Sequence, residues 1–325
     1  MTDLAFEQAF SIGMGETGAH FPTTLDRLIH LRTLPNLGGL AGRGLTYVAT
    51  HAAERHYDTG ERIYRPEEPV ASVHFVVDGK IRVEQEGLHL LDCVSPFAIG
   101  FIPVLASSDV GQTATALAPT VTLEVSRADL FEIFEDDFGF LENGLRQLSR
   151  QLAQMQARLE SRGLLDRSEP EETPYPVRPI DFVERLELIR GGPYAEVNLE
   201  PLVQLLRYAE EIRLEPGDVL WEEGEPSTWG ANVIHGVVAC SSKERTFRMG
   251  PRSVVGFIES NGAMPRGYRA VAETRVVALK QTTEVFLDVL EDHFQLAIGY
   301  LAFLSRLMLG LSLRAARSGG SDEEE

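Results

Sequence analysis

Two kinds of apolar pattern alternate along this chain. Short runs with apolar residues at every second position, such as Ser72–Val77 and Lys80–Val83, are interrupted by glycine, proline and aspartate. Such runs predict β-strands, and the Asp78-Gly79 pair between these two predicts a tight hairpin. Runs with apolar residues every three or four positions predict helices on either side. These are Thr24–His51 and Leu199–Glu211 in front, and Arg127–Arg162 and Glu284–Arg317 behind. Within Leu141–Arg162, the residues Leu145, Leu148, Leu152, Met155 and Leu159 form a stripe with alternating spacings of three and four. The last helix is apolar nearly all round, with Leu301, Leu304 and Met308 among its apolar positions, so it must be buried on several sides. These two apolar surfaces are candidate interfaces, and they predict a homo-oligomer or a helix-mediated protein partner.

The strand-rich parts are one unit written twice. Gly60-Glu61-Arg62-Ile63, Glu67-Glu68-Pro69 and Val76-Val77-Asp78-Gly79 recur in order as Gly217-Asp218-Val219-Leu220, Gly224-Glu225-Pro226 and Val233-Ile234-His235-Gly236. Gly100-Phe101-Ile102 returns as Gly256-Phe257-Ile258, and Phe134-Glu135-Asp136 as Leu290-Glu291-Asp292. The chain therefore divides into an arm over 1–22, a first unit over 23–162, a linker over 163–180, a second unit over 181–317 and an acidic tail over 318–325. The linker is rich in proline and glutamate, which predicts a semi-extended connection. The tail predicts disorder.

One stretch of the second unit carries the most chemistry. Gly256 lets backbone approach a ligand closely, and a short helix after it would aim free N–H groups at an anion. Pro265-Arg266 follows, and a guanidinium can clamp an oxyanion through two parallel hydrogen bonds. The stretch resembles the phosphate-binding cassette of cyclic-nucleotide-binding domains, as in catabolite activators and kinase regulatory subunits. In that family a Gly-Glu pair opens the cassette and a Pro-Arg pair closes it. Here Gly256, Pro265 and Arg266 match, while Phe257 stands where the family's ribose-holding Glu would be. Glu259 and Arg269 complete the candidate ligand-binding set. In the first unit Gly100 matches and Gln112 stands where the Arg would be, so that pocket is expected to be inactive toward an anion.

The resemblance implies an α+β fold: two tandem cupin-like, eight-stranded jelly-roll β-rolls, each flanked by helices. It implies a non-enzymatic regulator whose second pocket senses a cyclic nucleotide or other small anion. The alternative is a scaffold with vestigial pockets that acts through its apolar helices.

Charge and residue usage narrow the partners. The 325 residues carry a net charge of −19, which opposes binding to nucleic acid and to anionic membranes. No helix-turn-helix pattern follows Arg317, and the N-terminus has no signal-peptide pattern. No apolar run approaches the roughly 18 residues needed to span a bilayer, so a cytoplasmic location is expected. Cys93 and Cys240 lie far apart and read as small buried apolar groups. His51 and His56 lack metal-ligand spacing, and no nucleophile and base stand together, so no metal site, catalytic residue or cofactor is expected beyond a cyclic-nucleotide ligand. Gly13-Met14-Gly15-Glu16-Thr17-Gly18 fits a dinucleotide fingerprint, but the strand and helix that must flank it are not there in pattern. The charge predicts no gel shift of duplex DNA at physiological salt with micromolar protein.

Overall fold

The computed structural model describes residues 21, 23–34, 43–106, 111–165, 170, 173–190, 199–243 and 245–319. The N-terminal arm up to His20 with its glycine motif, the Ser107-Ser108-Asp109 stretch, parts of the linker and the tail from Gly320 onward lie outside the described residues.

The first unit opens with α1 (Thr24–Leu31) and α2 (Arg43–His51). Six strands follow: β1 (Ala53–Tyr57), β2 (Arg62–Tyr64), β3 (Ser72–Asp78), β4 (Lys80–Gln85), β5 (Leu88–Val94) and β6 (Phe97–Ile99). The short helix α3 (Phe101–Ala106) leads to β7 (Gln112–Ala116) and β8 (Thr120–Ser126), then to α4 (Arg127–Asp136) and α5 (Phe138–Ser161). The second unit repeats the order. It runs α6 (Phe182–Ile189), α7 (Leu199–Arg207), β9 (Glu210–Leu214), β10 (Val219–Trp221), β11 (Trp229–His235), β12 (Val238–Ser241), β13 (Thr246–Met249), β14 (Val254–Val255), α8 (Phe257–Asn261), β15 (Arg269–Ala272), β16 (Val276–Thr282), α9 (Thr283–Asp292) and α10 (Phe294–Gly319).

Each unit is an antiparallel β-roll of eight strands among the described residues. In the first, β1-β8-β3-β6 form one sheet and β2-β7-β4-β5 the other; in the second, β9-β16-β11-β14 and β10-β15-β12-β13 do the same. Asp78-Gly79 does not close a hairpin. Its two strands belong to different sheets, and Gly79 (φ +102°) turns the chain between them, its N–H donating to Asp78 Oδ1 at 2.9 Å. Locally, a Gly turn between two alternating runs reads the same whether the runs pair or part. The hairpin lies one strand later, at Glu86-Gly87 between β4 and β5, where both residues have positive φ.

The repeat extends to the helix caps. Ser126 accepts from Asp129 N to start α4, and Thr282 accepts from Val285 N to start α9. α1 and α6 each begin with a capping box, Thr23 with Asp26 and Asp181 with Glu184. The described linker residues from Thr173 onward reach the second roll. Tyr175 sits edge-on to His235 with centroids 5.2 Å apart, and Arg275 stacks 4.0 Å over its ring.

The long helices find their partners inside the chain. α10 packs on α3 and α5, and α5 packs on α8. Leu145, Leu148, Leu152, Leu159, Leu301, Leu304 and Met308 are buried in one continuous core that runs through both units, with Met155 packed partly buried against it. The two apolar surfaces expected as candidate interfaces are thus covered within the chain. A heptad stripe specifies that a helix must be covered, and a tandem repeat supplies the cover in cis. The expectation of no bilayer-length apolar run is corrected. Phe294–Ser318 is long and apolar enough to cross a membrane by length and composition, and more than half of its most apolar window is buried within the protein.

Leu152→Glu places a carboxylate at a fully buried point of this shared core. It should lower folding stability by more than about 3 kcal/mol, read by denaturant unfolding. A change of oligomer mass with unaltered stability would contradict the intrachain packing.

Candidate functional site

The second cassette begins where β14 ends. Gly256 has φ +80°, a left-handed turn that lets α8 start at once. A side chain at Gly256 would collide with Arg266 Nη1 and with the Trp221 ring, so the space in front of this glycine is already filled. Arg266 is 1% exposed, whereas a loop arginine poised for a ligand is expected to be partly exposed. Its Nη1 donates to Gly256 O at 2.9 Å and its Nη2 to Trp229 O at 2.5 Å. The guanidinium carbon lies 3.9 Å from the Trp221 ring centroid and 5.3 Å from that of Trp229. The backbone is tied down too: Arg266 N donates to Glu225 O, and Gly224 N donates to Arg266 O, each at 2.8 Å. The repeated Gly-Glu-Pro turn therefore clasps the end of the cassette, with Pro226 bridging to Pro265.

Burial pushes the Arg266 guanidinium below its ordinary range, and the carboxylate of Glu259, itself 9% exposed, works the other way. The cation is thus held by two carbonyls, two indole faces and a nearby carboxylate. Arg266 Nε and Trp221 Nε1 are buried donors without an acceptor among the described residues.

The other predicted positions separate. Phe257 is buried, with its ring against Gly230 and edge-on to Phe286 at 5.7 Å, so it belongs to the helical core. Arg269 pairs with Glu222 at 2.9 Å on the surface of the neighbouring strands. Gly256, Pro265, Arg266 and Glu259 come together; Phe257 and Arg269 face elsewhere.

The first cassette is closed by a different side chain. A side chain at Gly100 (φ +95°) would collide with the Tyr64 hydroxyl. That hydroxyl donates to Ser72 O at 3.2 Å. Tyr64 and Trp221 end equivalent strands, and Ser72 and Trp229 begin equivalent strands. Both units thus bond a side chain to the same backbone carbonyl in front of the cassette glycine. Gln112 is buried at the start of β7, in register with Gln85 of β4. Tyr64, Trp221 and Trp229 were not among the residues the sequence singled out. The available signal was Ile63-Tyr64 and Leu220-Trp221 at matching places in the repeat.

The first roll also holds a buried polar network. His74 lies 3.0 Å from both Ser72 Oγ and Thr122 Oγ1, and Arg55 pairs with Glu124 at 2.6 Å. Burial lowers the His74 pKa to about 4, with the Glu124 carboxylate opposing the shift. Burial works against the Glu124 carboxylate, but Arg55, Ser72 and His74 bring it below its ordinary value. The second roll has Ala231 and Ala278 at the places of His74 and Thr122, and its interior is an apolar cluster. A cleft of about 540 Å³ lies away from both cassettes, between the start of α5 and α9. It is lined by Asp136, Asp137, Glu142, Glu284, Asp288 and Glu291, which disfavour an anion.

Two outcomes follow from these contacts. Arg266→Ala removes two charged hydrogen bonds and leaves a void between two indoles, so it should cost about 3 kcal/mol or more of folding stability; an unchanged denaturation midpoint would mean that the guanidinium does not hold the loop. His74 takes up its proton near pH 6.5 when unfolded but only near pH 4 when folded. Stability should therefore decline as pH falls through that window, with Glu124 adding to the loss below about pH 4.5. In a pH series of thermal melts, His74→Gln should flatten the slope between pH 6.5 and 4.5.

Residues 54–137 match the family described as cyclic nucleotide-binding domain. No curated protein matches the sequence. Among solved structures, a mutant regulatory subunit of a cAMP-independent protein kinase A from Trypanosoma brucei, bound to cAMP, is 16% identical, with 90% of this chain and 98% of that one covered and a TM-score of 0.34. The regulatory domain of protein kinase A from Toxoplasma gondii with cAMP is 11% identical, covering 84% and 95% with a TM-score of 0.32. The N-terminal domain of a transcriptional regulator from Streptomyces coelicolor A3(2) is 25% identical, covering 37% and 89% with a TM-score of 0.33. Residues 54–137 thus match the family described as cyclic nucleotide-binding domain, and the second unit repeats the same order of strands and helices around Gly256.

Proposed function

We propose that this protein is a non-enzymatic, cytoplasmic regulatory scaffold whose two nucleotide-type cassettes are closed by its own side chains. One observation carries this reading. The space before each cassette glycine is taken from within, by Tyr64 at Gly100 and by Arg266 with Trp221 at Gly256. A cyclic nucleotide would have to displace the Arg266 guanidinium from two carbonyls and two indoles before gaining its charge, and the first cassette has no arginine to offer. Signalling then rests on protein contacts. The apolar long helices of the scaffold reading are covered within the chain. Exposed apolar side chains stand instead on the leading helices, Leu25 and Ile29 on α1 and Val183 and Leu188 on α6.

A second reading is supported by the unpartnered donors Arg266 Nε and Trp221 Nε1. A buried donor without an acceptor carries a cost that a small oxyanion entering the cassette would relieve. In that reading the second cassette senses an anion smaller than a nucleotide.

Thermal-shift and calorimetric titrations with cyclic AMP, cyclic GMP, cyclic dinucleotides and inorganic phosphate separate the two. The scaffold reading expects no rise in melting temperature and no binding heat up to millimolar ligand. A rise with phosphate alone supports the anion sensor. A rise of several degrees with a cyclic nucleotide overturns the closed-cassette reading.

A further inference from the structure

The cassette helix of each unit is held by the long helix of the other. α8, which begins at Gly256 in the second unit, packs on α5 of the first; α3, which begins after Gly100 in the first unit, packs on α10 of the second. A single side chain completes each crossing. Arg150 of α5 donates from Nε to Gly262 O, the C-cap residue of α8, at 2.8 Å. Arg306 of α10 donates from Nη1 to Ala106 O, the last residue of α3, at 3.2 Å. The carbonyls at the end of a short helix lack intrahelical partners, and a guanidinium is a strong donor to them. Arg150 and Arg306 occupy the same place in the repeat, as do Gly100 and Gly256. The residue before each arginine, Ser149 and Ser305, is fully buried, so both helices are tightly enclosed at the level of the caps.

The two crossings share a body. α5 and α10 pack directly on each other, and α8 is also tied to α10 through Asn261 Nδ2 donating to the Tyr300 hydroxyl at 2.9 Å. A shift of α8 must release Arg150, disturb α5 against α10, and move the helix that carries Arg306. A shift of α3 runs the same path in reverse. Close-packed helices of this kind change arrangement together rather than deforming gradually.

We propose that Arg150 and Arg306 form a crossed pair of caps through which the two cassettes are conformationally coupled, so that opening either one loosens the other. The coupling is a property of the packing and does not require a ligand in either cassette. Thermodynamic linkage makes it reciprocal.

Hydrogen exchange on the full chain, read by mass spectrometry, tests this. Arg150→Met keeps the apolar stem and removes the donor. It should speed exchange about tenfold in residues 257–264 of the second unit, the effect of losing one charged hydrogen bond. It should also speed exchange measurably in residues 101–106 of the first unit. Arg306→Met should give the mirrored pattern, strongest in residues 101–106 and present in 257–264. Faster exchange confined to the substituted helix and its own unit, or in only one cassette for either variant, overturns the coupling. Should either variant fail to fold, scanning calorimetry of the wild-type chain decides. One cooperative transition is expected, and two separated transitions overturn the proposal.

Discussion

Helix α10 keeps only a narrow strip in water, with Gln295, Arg306, Arg314 and Arg317 on it, and the rest of the molecule is arranged to cover its apolar faces. Leu296, Leu301, Leu304, Leu309 and Leu311 point around the helix in different directions, and all are buried. One β-roll offers a single helical face, which cannot enclose such a helix. The second layer comes from α5 and α3 of the other unit, so the two copies of the repeat are joined through their cores. That constraint explains why the cassette helices, which in each unit follow the sixth strand, end against the long helix of the opposite copy.

The two rolls have kept the same backbone and diverged inside it. The first encloses His74, Thr122, Ser72 and Glu124 in a hydrogen-bonded network; the second replaces the central pair by Ala231 and Ala278 and fills the remaining volume with Trp221, Trp229 and Tyr268. The large aromatic rings provide the faces against which Arg266 is stacked. A buried guanidinium is tolerated there because carbonyl oxygens, indole faces and the Glu259 carboxylate together replace the water it has lost. The same groups that stabilise the cation also close the cassette. In the first unit a neutral phenol does the closing, and burial raises the Tyr64 pKa well above its ordinary value, which keeps it a donor. Closure of each cradle has thus been reached with different chemistry at one backbone position.

Much of this was legible in the residues. The tandem repeat, the strand-rich character of each unit and the flanking helices follow from local signals, namely the repeated glycine turns and the runs of period two and of three to four; the eight-stranded rolls were what the resemblance of the Gly256–Arg266 stretch implied. The burial demand of the two apolar helices was legible too. What covers them was not, because a hydrophobic stripe states how much surface must leave water and says nothing about which surface meets it. The Asp78-Gly79 turn was misread for the same reason: turn chemistry is local, whereas sheet membership is set by which strands the whole roll brings alongside.

The candidate site divides along that line. The sequence by itself singled out Gly256 with Pro265-Arg266 as the stretch that combines close backbone approach with a guanidinium. The expectation that Gln112 stands in the place of Arg266 is corrected by the strand register, which pairs Tyr64 with Ala114 as it pairs Trp221 with Ala270 and so makes Gln112 the counterpart of Tyr268. Only the tertiary structure decided that Arg266 is spent on Gly256 O, Trp229 O and two indoles, and that Phe257 faces the helical core. Trp221 and Trp229 lie far from Arg266 along the chain, and their rings reach it only after β10 has paired with β15 and β11 with β16. Whether a cation is free for a ligand depends on those long-range neighbours, and no local pattern records them.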